Sequence, residues 1–351
     1  MNVTLCIVNH NGAVHLRDSL ACAVALGPDV DEILLLDNAS TDGGQDFFLR
    51  SVPNGRVIQL TENRSPGAAR SAGFQAARND YILFADNDIR LCAAGAEALA
   101  AALDLYSNAA IAMPRVVLTA RPDRIQYEGA YCHWLGHMIL RNEDSPLQEP
   151  APNPVRVDSM VSACFMVVRS RWPHAMFFDP GYLFYYEDHD VGVRARVAGR
   201  EILAVENAVV MHGAGTPNLS LRPGGSYAPR RVLTLIEGRW RHLLKNISTR
   251  SLVVLGPGLL AYELAQLAGV TAKGWFPHWW QALRNTIRAF GEIRIARGAV
   301  QRGRRIADRE LLRGGPVPFK PELAGGRGAK LALAMLNALL GAYWRIARRL
   351  L

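Results

Sequence analysis

The chain has 351 residues, 40 Lys and Arg against 31 Asp and Glu, and a hydrophobic content of 50%. This length and composition exclude a disordered tail, a collagen-like repeat and a small disulfide-bonded protein. They fit one large α/β domain with an appendage. The cysteines are odd in number and lack the C-x-x-C spacing of zinc sites, so we expect buried thiols of a reducing compartment.

Charge is distributed unevenly along the chain. Residues 1–238 hold 20 basic and 26 acidic side chains, whereas residues 239–351 hold 20 basic and 5 acidic ones. Such asymmetry predicts an appendage that meets an anionic surface, either a membrane or a nucleic acid. The first apolar run, Val3–Val8, has the length of a strand and lacks the basic flank of a secretory signal, so we expect a cytoplasmic body.

Strand and helix patterns alternate in the first third of the sequence. The helix before the fourth strand is expected to begin with Ser65 as N-cap and Pro66 at its first position. Apolar strands separated by helices predict a mostly parallel sheet covered on both faces, with ligands bound beyond the carboxyl ends of the strands. The predicted strands are Val3–Val8, Glu32–Leu36, Arg56–Leu60 and Tyr81–Ala85.

Polar residues follow three of these strands directly, at 9–12, 37–43 and 86–88. Asp86 and Asp88 lie two residues apart in an extended segment and therefore share a face. Two carboxylates at a crevice can chelate Mg²⁺ or Mn²⁺, which prefer oxygen ligands. Taken alone, this pattern is more often a turn or a helix N-cap.

A second acidic cluster, 187–190, follows an aromatic run at 182–186 and precedes a helix predicted over Val191–Ala198. Acidic residues in a first helical turn are favoured by the helix dipole, which is the structural interpretation. The functional one is that aromatic neighbours desolvate a carboxylate, raise its pKa and make it a general base. His212, after the predicted strand Glu201–Met211, becomes a metal-ligand candidate if the carboxylates need a third ligand.

The segment from Arg115 to about Val157 is rich in proline and predicts a loop-dominated wall over the site. His133 and His137 within it could bind a metal, but their apolar surroundings favour structural packing. Beyond about residue 230 the chain becomes a series of basic, Leu/Ala-rich helices.

Two apolar helices in this basic region are marginal or too short to cross a bilayer, Ser251–Ala272 and Leu331–Trp344. Between them, the aromatic run 275–280 precedes many arginines, which favours a segment that lies in the headgroup region of a membrane. A spanning helix and an ordinary helical cap are the alternatives. Five arginines after His212 could form a lid over a diphosphate, seat a lipid-linked pyrophosphate or simply be solvated: Arg222, Arg230, Arg231, Arg239 and Arg241.

Taken together and in order, these motifs resemble glycosyltransferase family 2, most closely its bacterial rhamnosyltransferase and galactofuranosyltransferase-like branch. The resemblance implies a GT-A fold over residues 1–235, followed by a basic, amphipathic helical region over residues 236–351. It also implies inverting transfer of a sugar from a nucleotide-diphosphate donor, with Mg²⁺ or Mn²⁺ as cofactor. The motifs that carry it are 8–12, 37–43, 67–73, 84–88 and 184–194.

The resemblance further assigns roles to individual residues. Asp37 would bind the nucleobase or ribose, and Asn9 and Arg70 would line that pocket. Asp86, in the position of the family's Asp-x-Asp motif, would contact ribose or metal.

By the same resemblance, Asp88 would bind the metal directly and His212 would be an additional metal ligand. Asp188 matches the family's general base, and Glu187 beside it is the second catalytic candidate.

The expected partners are a nucleotide-diphosphate sugar, a glycan or lipid-linked glycan acceptor, and an anionic membrane at the inner face of the cell. Nucleic acid is not expected, because the aromatic residues of the basic region cluster instead of alternating with cations. A nucleotidyltransferase on a similar fold is one alternative, although residues 1–60 contain no lysine for its glycine-rich signature. A non-catalytic scaffold of a polysaccharide-assembly complex is the other.

Overall fold

The computed structural model describes residues 2–27, 29–213, 229–317 and 326–351. Its contacts divide the chain into two compact units. The first unit consists of Met1–Ala130, Leu140–Arg196 and Arg200–Gly225. The second consists of Tyr131–Ile139, Val197–Gly199 and Ser226–Leu351.

The secondary structure alternates strands and helices first and is mainly helical afterwards. The strands are β1 Val3–Asn9, β2 Val30–Asp37, β3 Arg56–Gln59, β4 Tyr81–Asp86, β5 Ile89–Leu91, β6 Ala109–Leu118, β7 Arg121–Tyr127, β8 Ala130–His133, β9 Met138–Leu140, β10 Val155–Val157, β11 Cys164–Val168, β12 Glu201–His212 and β13 Leu312–Arg313. The α-helices are α1 Ala13–Val24, α2 Gly44–Ser51, α3 Pro66–Ala76, α4 Ala93–Leu105, α5 Glu187–Val197, α6 Pro229–Asn246, α7 Thr249–Ala272, α8 Phe276–Arg288, α9 Phe290–Arg302, α10 Asp308–Leu311 and α11 Gly326–Ala347.

The first unit is built on a sheet with the strand order β10-β12-β6-β11-β4-β1-β2-β3. Strands β1 to β4 are parallel to their neighbours among themselves, and β11 runs antiparallel between β4 and β6. The predicted α/β class with a mostly parallel central sheet is confirmed. Helix α3 begins as predicted, since the Ser65 hydroxyl accepts a hydrogen bond from the Ala68 amide at 3.1 Å.

The register of the sheet collects the polar strand ends at one edge. Asn9 lies opposite Asp37 on β2, and Val8 lies opposite Asp86 on β4. Since these strands are parallel, the carboxyl ends of β1, β2 and β4 open toward the same side, where α/β sheets bind their ligands.

The prediction of a loop-dominated segment from Arg115 to Val157 is wrong. The segment contains β7 and β10 and continues β6, a buried strand that pairs with both β11 and β12. Its proline, Pro114, suggested a break, because a proline cannot donate to a sheet ladder. The register of β6 with β12 shifts just after Pro114, and this irregularity accommodates the missing donor.

Helix α5 begins at Glu187, four residues earlier than the predicted start at Val191. The acidic cluster is therefore part of the first helical turn, where the dipole favours negative charge. All five cysteines lie among the described residues, and none of them forms a disulfide bond. Cys6, Cys132 and Cys164 are buried as expected, Cys22 is half-buried, and Cys92, which caps α4, is exposed.

The second unit is mainly helical, formed by α6 to α11 and a small sheet with the order β13-β8-β9. The predicted helical region is confirmed. Among the described residues, Thr249–Ala272 is one helix whose length and apolar composition would allow it to cross a membrane.

Candidate functional site

The loops after β1 and β2 are tied together by a buried amide and carboxylate. Asn9, which is fully buried, donates through Nδ2 to Asp37 Oδ1 at 3.2 Å and to Ser40 Oγ at 3.1 Å. Asp37 also accepts from the Ser40 amide at 2.9 Å and from Gln45 Nε2 at 2.8 Å. Since Asp37 is itself fully buried, these bonds make it a support of the pocket floor as well as a candidate nucleobase or ribose ligand.

His10 links this floor to the loop after β3. Its Nδ1–H donates to the Asn38 carbonyl at 2.7 Å, and its Nε2 accepts from Asn63 Nδ2 at 2.9 Å. Asn38 in turn donates through Nδ2 to Asn63 Oδ1 at 2.9 Å. Residues 9–12 therefore connect the loops that follow β1, β2 and β3 through hydrogen bonds.

Arg70 on α3 lies inside the first unit, with only 2% of its surface exposed. Its Nη2 donates to Asp86 Oδ1, and its guanidinium lies 5.9 Å from the centre of the Phe178 ring. Its Nε and Nη1 have no hydrogen-bond partner among the described residues. Arg70 is thus a buried cation beside the strand ends, with donor capacity that an anionic ligand could use.

Asp88 and His212 meet on the other side of Asp86. The distance from His212 Nε2 to Asp88 Oδ1 is 3.4 Å, and both side chains are buried. His212 Nδ1 lies 2.9 Å from Gln126 Oε1 on β7. Because an amide oxygen only accepts, Nδ1 carries a proton, so the lone pair of Nε2 faces Asp88 whenever the imidazole ring is neutral.

This arrangement fits a divalent cation. A lone pair and a carboxylate oxygen repel each other, whereas a cation between them would attract both, and each can reach a cation at about 2.1 Å. A carboxylate with an imidazole suits Mn²⁺ or Mg²⁺ sites. The hydrogen bond from the far ring nitrogen to Gln126 is the support that metal-binding histidines usually have.

The second carboxylate pair is presented by a strained turn. Tyr185 and Tyr186, which precede Glu187 directly, have φ angles of +61° and +66°. Bulky residues rarely adopt this left-handed region, and such strain concentrates at functional sites. The turn ends where α5 starts and so determines where the Glu187 and Asp188 side chains point.

Burial governs the ionisation of this pair. Burial raises the pKa of Glu187 to about 8, with a further contribution from the neighbouring charge of Asp188, while Arg70 acts in the opposite direction. Burial also raises the pKa of Asp188, opposed by the hydrogen bond from the His189 amide at 2.7 Å. The Glu187 Oε2 atom has no hydrogen-bond partner among the described residues. The pKa direction agrees with the one inferred from the aromatic neighbours.

Asp86 interacts electrostatically with Asp88 and His212 and also with Glu187. Burial raises its pKa; Arg70 and His212 lower it, and Asp88 raises it further. Arg70 also influences Glu187 and Asp188. The structure therefore brings Asp86, Asp88, His212, Glu187 and Asp188 to one edge of the sheet around a single buried arginine.

Other predicted candidates serve the fold. Asp190 accepts from Arg194 Nε at 2.7 Å and holds α5 from within. In the second unit, His133 donates to the Gly315 carbonyl at 3.2 Å, and His137 lies 2.9 Å from the Tyr262 hydroxyl, so the two histidines have separate partners. Of the five lid arginines, Arg231, Arg239 and Arg241 are buried, whereas Arg222 and the side chain of Arg230 lie outside the described residues.

Sequence reasoning missed Gln126 completely. It lies on β7, in the segment expected to be loop, and nothing in the residues around it signals a role. Only the pairing of β7 with β6 and of β6 with β12 brings it beside His212.

Comparisons with known proteins agree with this geometry. Residues 4–161 match the model of Glycosyl transferase family 2. The N-acetylglucosaminyl-diphospho-decaprenol L-rhamnosyltransferase of Mycobacterium tuberculosis (strain ATCC 25618 / H37Rv) is 26% identical over 228 residues, which cover 58% of this chain and 74% of the relative.

Two solved structures share the fold. GalNAc-T7, crystallised with UDP, GalNAc and Mn²⁺, has a TM-score of 0.57 at 16% identity, covering 74% of this chain and 51% of that one. The chain thus spans about half the length of GalNAc-T7. TarS 1-349 of S. aureus, in complex with UDP, has a TM-score of 0.52 at 16% identity, covering 98% of this chain and 91% of that one.

The family match begins in β1 and includes the acidic end of β4, on a sheet shared with GT-A enzymes, and on this ground the chain is a glycosyltransferase with a GT-A fold whose residues 4–161 are similar to family 2.

Proposed function

We propose that this enzyme transfers a sugar from a nucleotide-diphosphate donor to a hydroxyl of a lipid-linked glycan, with inversion and with the help of Mn²⁺ or Mg²⁺. The product would belong to a cell-surface polysaccharide. The relative from M. tuberculosis is named for a diphospho-decaprenol acceptor, and GalNAc-T7 and TarS were crystallised with UDP. These names support the classes of donor and acceptor.

The observation that carries the proposal is the placement of two different acidic groups around Arg70. Asp88 faces His212 across 3.4 Å, while Glu187, which is buried, and Asp188, which is half-buried, directly follow a strained turn. One group has the chemistry of a cation site and the other that of a proton acceptor. A metal-dependent, inverting sugar transferase uses both.

In the proposed donor site, Asn9 and Asp37 support the nucleoside and Asp86 contacts ribose or metal. Asp88, Asp86 and His212 would hold the cation. A bound divalent cation would neutralise the charge that develops on the departing diphosphate. Arg70, with two donor groups unpaired among the described residues, would add a second positive charge near the same place.

In the proposed acceptor site, Asp188 takes the proton from the attacking hydroxyl. Its raised pKa brings it closer to the operating pH, which is where a general base is most effective. Attack from the face opposite the diphosphate gives a single displacement, and the anomeric configuration inverts. Glu187 beside it, with its pKa raised to about 8, remains protonated longer and can donate a hydrogen bond.

For the whole chain we propose a catalytic domain over residues 1–235 and a basic helical region over residues 236–351. The helical region would hold the enzyme peripherally at the inner face of the cell membrane. The asymmetry of charge supports this arrangement, since 20 of the 40 basic residues lie beyond residue 238 with only 5 acidic ones.

The test is transfer from nucleotide-sugars to a diphosphate-linked acceptor in detergent, with Mn²⁺ or EDTA, followed by NMR of the anomeric proton. We expect Mn²⁺-dependent product of inverted configuration. Asp188→Asn should lower kcat by about 10³-fold, since a general base contributes about 10²–10⁴-fold, and leave donor affinity within about threefold. Retained configuration, or equal loss of donor binding in Asp188→Asn, would contradict the proposal.

A further inference from the structure

Helix α7 in the second unit exposes a continuous uncharged face. Val253, Leu260 and Leu264 are 72%, 60% and 60% exposed. The exposed positions recur every three or four residues and so form one side of the helix, about 28 Å long at 1.5 Å per residue. They are Val253, Pro257, Leu260, Ala261, Leu264, Ala268, Gly269, Thr271 and Ala272.

The opposite face of α7 is packed inside the second unit. Glu263, the acidic residue of this helix, accepts from Arg239 and, at 3.0 Å, from Trp240 Nε1. Tyr262 is buried, with the Arg239 guanidinium 4.7 Å from its ring centre. The acidic group of α7 is therefore turned inward and paired, which leaves the outer face from Val253 to Ala272 free of charge.

Helix α11 lies against α7 and exposes a second apolar face. A side chain at Gly258 would collide with Trp134 and Tyr343, and the Tyr343 hydroxyl donates to the Val254 carbonyl. The exposed apolar residues of α11 are Leu331, Ala332, Ala334, Met335, Ala338, Leu339, Ala342 and Ile346. We call these residues and the exposed face of α7 the α7–α11 surface.

Exposed cations lie at both ends of each helix. Arg250 and Lys273 flank the exposed face of α7. On α11, Lys330 precedes the apolar residues, and Arg345, Arg348 and Arg349 follow them. An apolar stretch bounded by cations matches a lipid leaflet, where acyl chains meet the apolar residues and anionic headgroups meet the cations.

The aromatic run of 275–280 contributes less to this surface than its sequence suggested. Trp275 and Trp279 pack against a cluster of Val232, Ile236, Val270 and Ala282. Phe276 and Trp280 of this run remain exposed.

The charges also argue against the other occupants of such a surface. A second copy of the chain would bring cationic ends against cationic ends whichever way the helices were paired. A spanning α7 would have to expose Glu263 and its polar neighbours to hydrocarbon, which disfavours unpaired polar groups. A helix with one free face and one packed face suits insertion parallel to the membrane plane.

We propose that the α7–α11 surface inserts into one leaflet of an anionic phospholipid bilayer, with both helices parallel to the membrane plane. This inference rests on the membrane association proposed above and names the residues and the mode of contact. It is independent of the donor and the acceptor, because every residue involved belongs to the second unit.

The test is flotation of the full chain with preformed phosphatidylcholine vesicles that either lack phosphatidylglycerol or contain about 30 mol% of it. The doubly substituted variant Leu260→Glu/Leu264→Glu should bind anionic vesicles at least about tenfold more weakly, because charges replace the inserted side chains. The control is Leu105→Glu, which changes an exposed leucine of the first unit and should bind like the wild type. Arg345→Gln/Arg348→Gln should weaken binding to anionic vesicles and leave the weaker binding to neutral vesicles unchanged.

Three results would overturn the proposal. Unchanged vesicle binding of Leu260→Glu/Leu264→Glu would show that the α7–α11 surface does not contact lipid. Resistance of bound protein to alkaline carbonate extraction would indicate a spanning helix. A wild-type dimer that the same variant converts to a monomer, without vesicle binding by either, would identify a second copy as the occupant. Thermal shift with nucleotide-sugars should be unaltered in all variants, which separates this outcome from failure of the proposed donor site.

Discussion

The two acidic groups of the site both consist of paired carboxylates and differ in their surroundings. Asp86 and Asp88 end a parallel strand, where Arg70 pairs with the first and His212 faces the second. Glu187 and Asp188 open a helix after two left-handed tyrosines, and Glu187 keeps one oxygen unpaired among the described residues. Burial raises the pKa in both groups; at Asp86 the direct hydrogen bond from Arg70 opposes this rise, whereas at Glu187 Arg70 acts only through its charge and the pKa reaches about 8.

This difference in surroundings explains how one site can bind a cation with one pair of carboxylates and accept a proton with the other. A metal ligand must stay deprotonated, and a proton acceptor must be able to change state near the operating pH. Arg70 is placed so that it contacts Asp86 directly and acts on Glu187 and Asp188 only through its charge. Each of the following substitutions tests one side of this contrast.

The largest effect is expected from Asp88→Ala. Removing a direct ligand should cost more than the ~100-fold in metal affinity that loss of a supporting hydrogen bond costs. Donor affinity measured by calorimetry with Mn²⁺ should fall to its value in EDTA. Asp18→Ala, which breaks only an exposed ion pair with Arg90, is the control and should bind as the wild type does. If Asp88→Ala still binds the donor in a Mn²⁺-dependent way, Asp88 is not a metal ligand and the two acidic groups do not differ in the way described.

Glu187→Gln should change the pH dependence of stability. The pKa of Glu187 is raised from 4.5 to about 8, so the folded chain holds this proton to higher pH than the unfolded chain does. Stability from this group is complete below about pH 4.5 and is lost as the pH rises toward 8. At pH 9, about one unit above that value, the variant should be more stable by on the order of 5 kcal/mol, at about 1.4 kcal/mol for each of the roughly 3.5 pKa units.

Urea unfolding at acidic and alkaline pH measures this effect. At acidic pH the variant and the wild type should have similar stability, because a glutamine resembles the protonated acid. Glu62→Gln is the control, since Glu62 is exposed and pairs with Arg64 at the surface. Parallel pH profiles for wild type and Glu187→Gln would mean that Glu187 ionises like an ordinary carboxyl.

The smallest effect is expected from Gln126→Met, which keeps the side-chain length and removes the acceptor for His212 Nδ1–H. Loss of this support should lower Mn²⁺ affinity by about tenfold. Gln126→Glu retains an acceptor oxygen and should retain most of the affinity. If both variants bind Mn²⁺ as tightly as the wild type, His212 is oriented by other contacts and Gln126 has no positioning role.

The sequence predicted the parallel strands of the sheet well and the structure of residues 115–157 poorly. Strands β1, β2 and β4 are short apolar runs with polar ends, a pattern that local residues determine. The segment over 115–157 looked irregular because its prolines and charges dominate its composition. Its buried charges are satisfied at long range: Arg115 pairs with Glu128 at 2.5 Å and with Glu206 at 2.9 Å. A network of this kind has no local signature.

In the helical unit, too, the sequence predicted the helices but not which of their residues are buried. Composition alone indicated basic, apolar helices, and the aromatic run seemed the natural contact with lipid. In the folded unit Trp275 and Trp279 pack inward, and α7 carries an exposed uncharged face from Val253 to Ala272. The difference arises because burial depends on the partners that a helix face finds, whereas a sequence pattern records only which residues share that face.

The sequence by itself determined the α/β class, the strand ends that carry Asn9, Asp37 and Asp86, and the family to which these motifs belong. Local periodicity and spacing encode such features, because strands alternate and ligands collect at the ends of parallel strands. Only the tertiary structure decided that Arg70 lies between two acidic groups, that Gln126 supports His212, and that Glu263 turns away from the outer face of α7. Each of these depends on residues far apart in the chain, whose contacts and loss of solvent arise only when the elements pack.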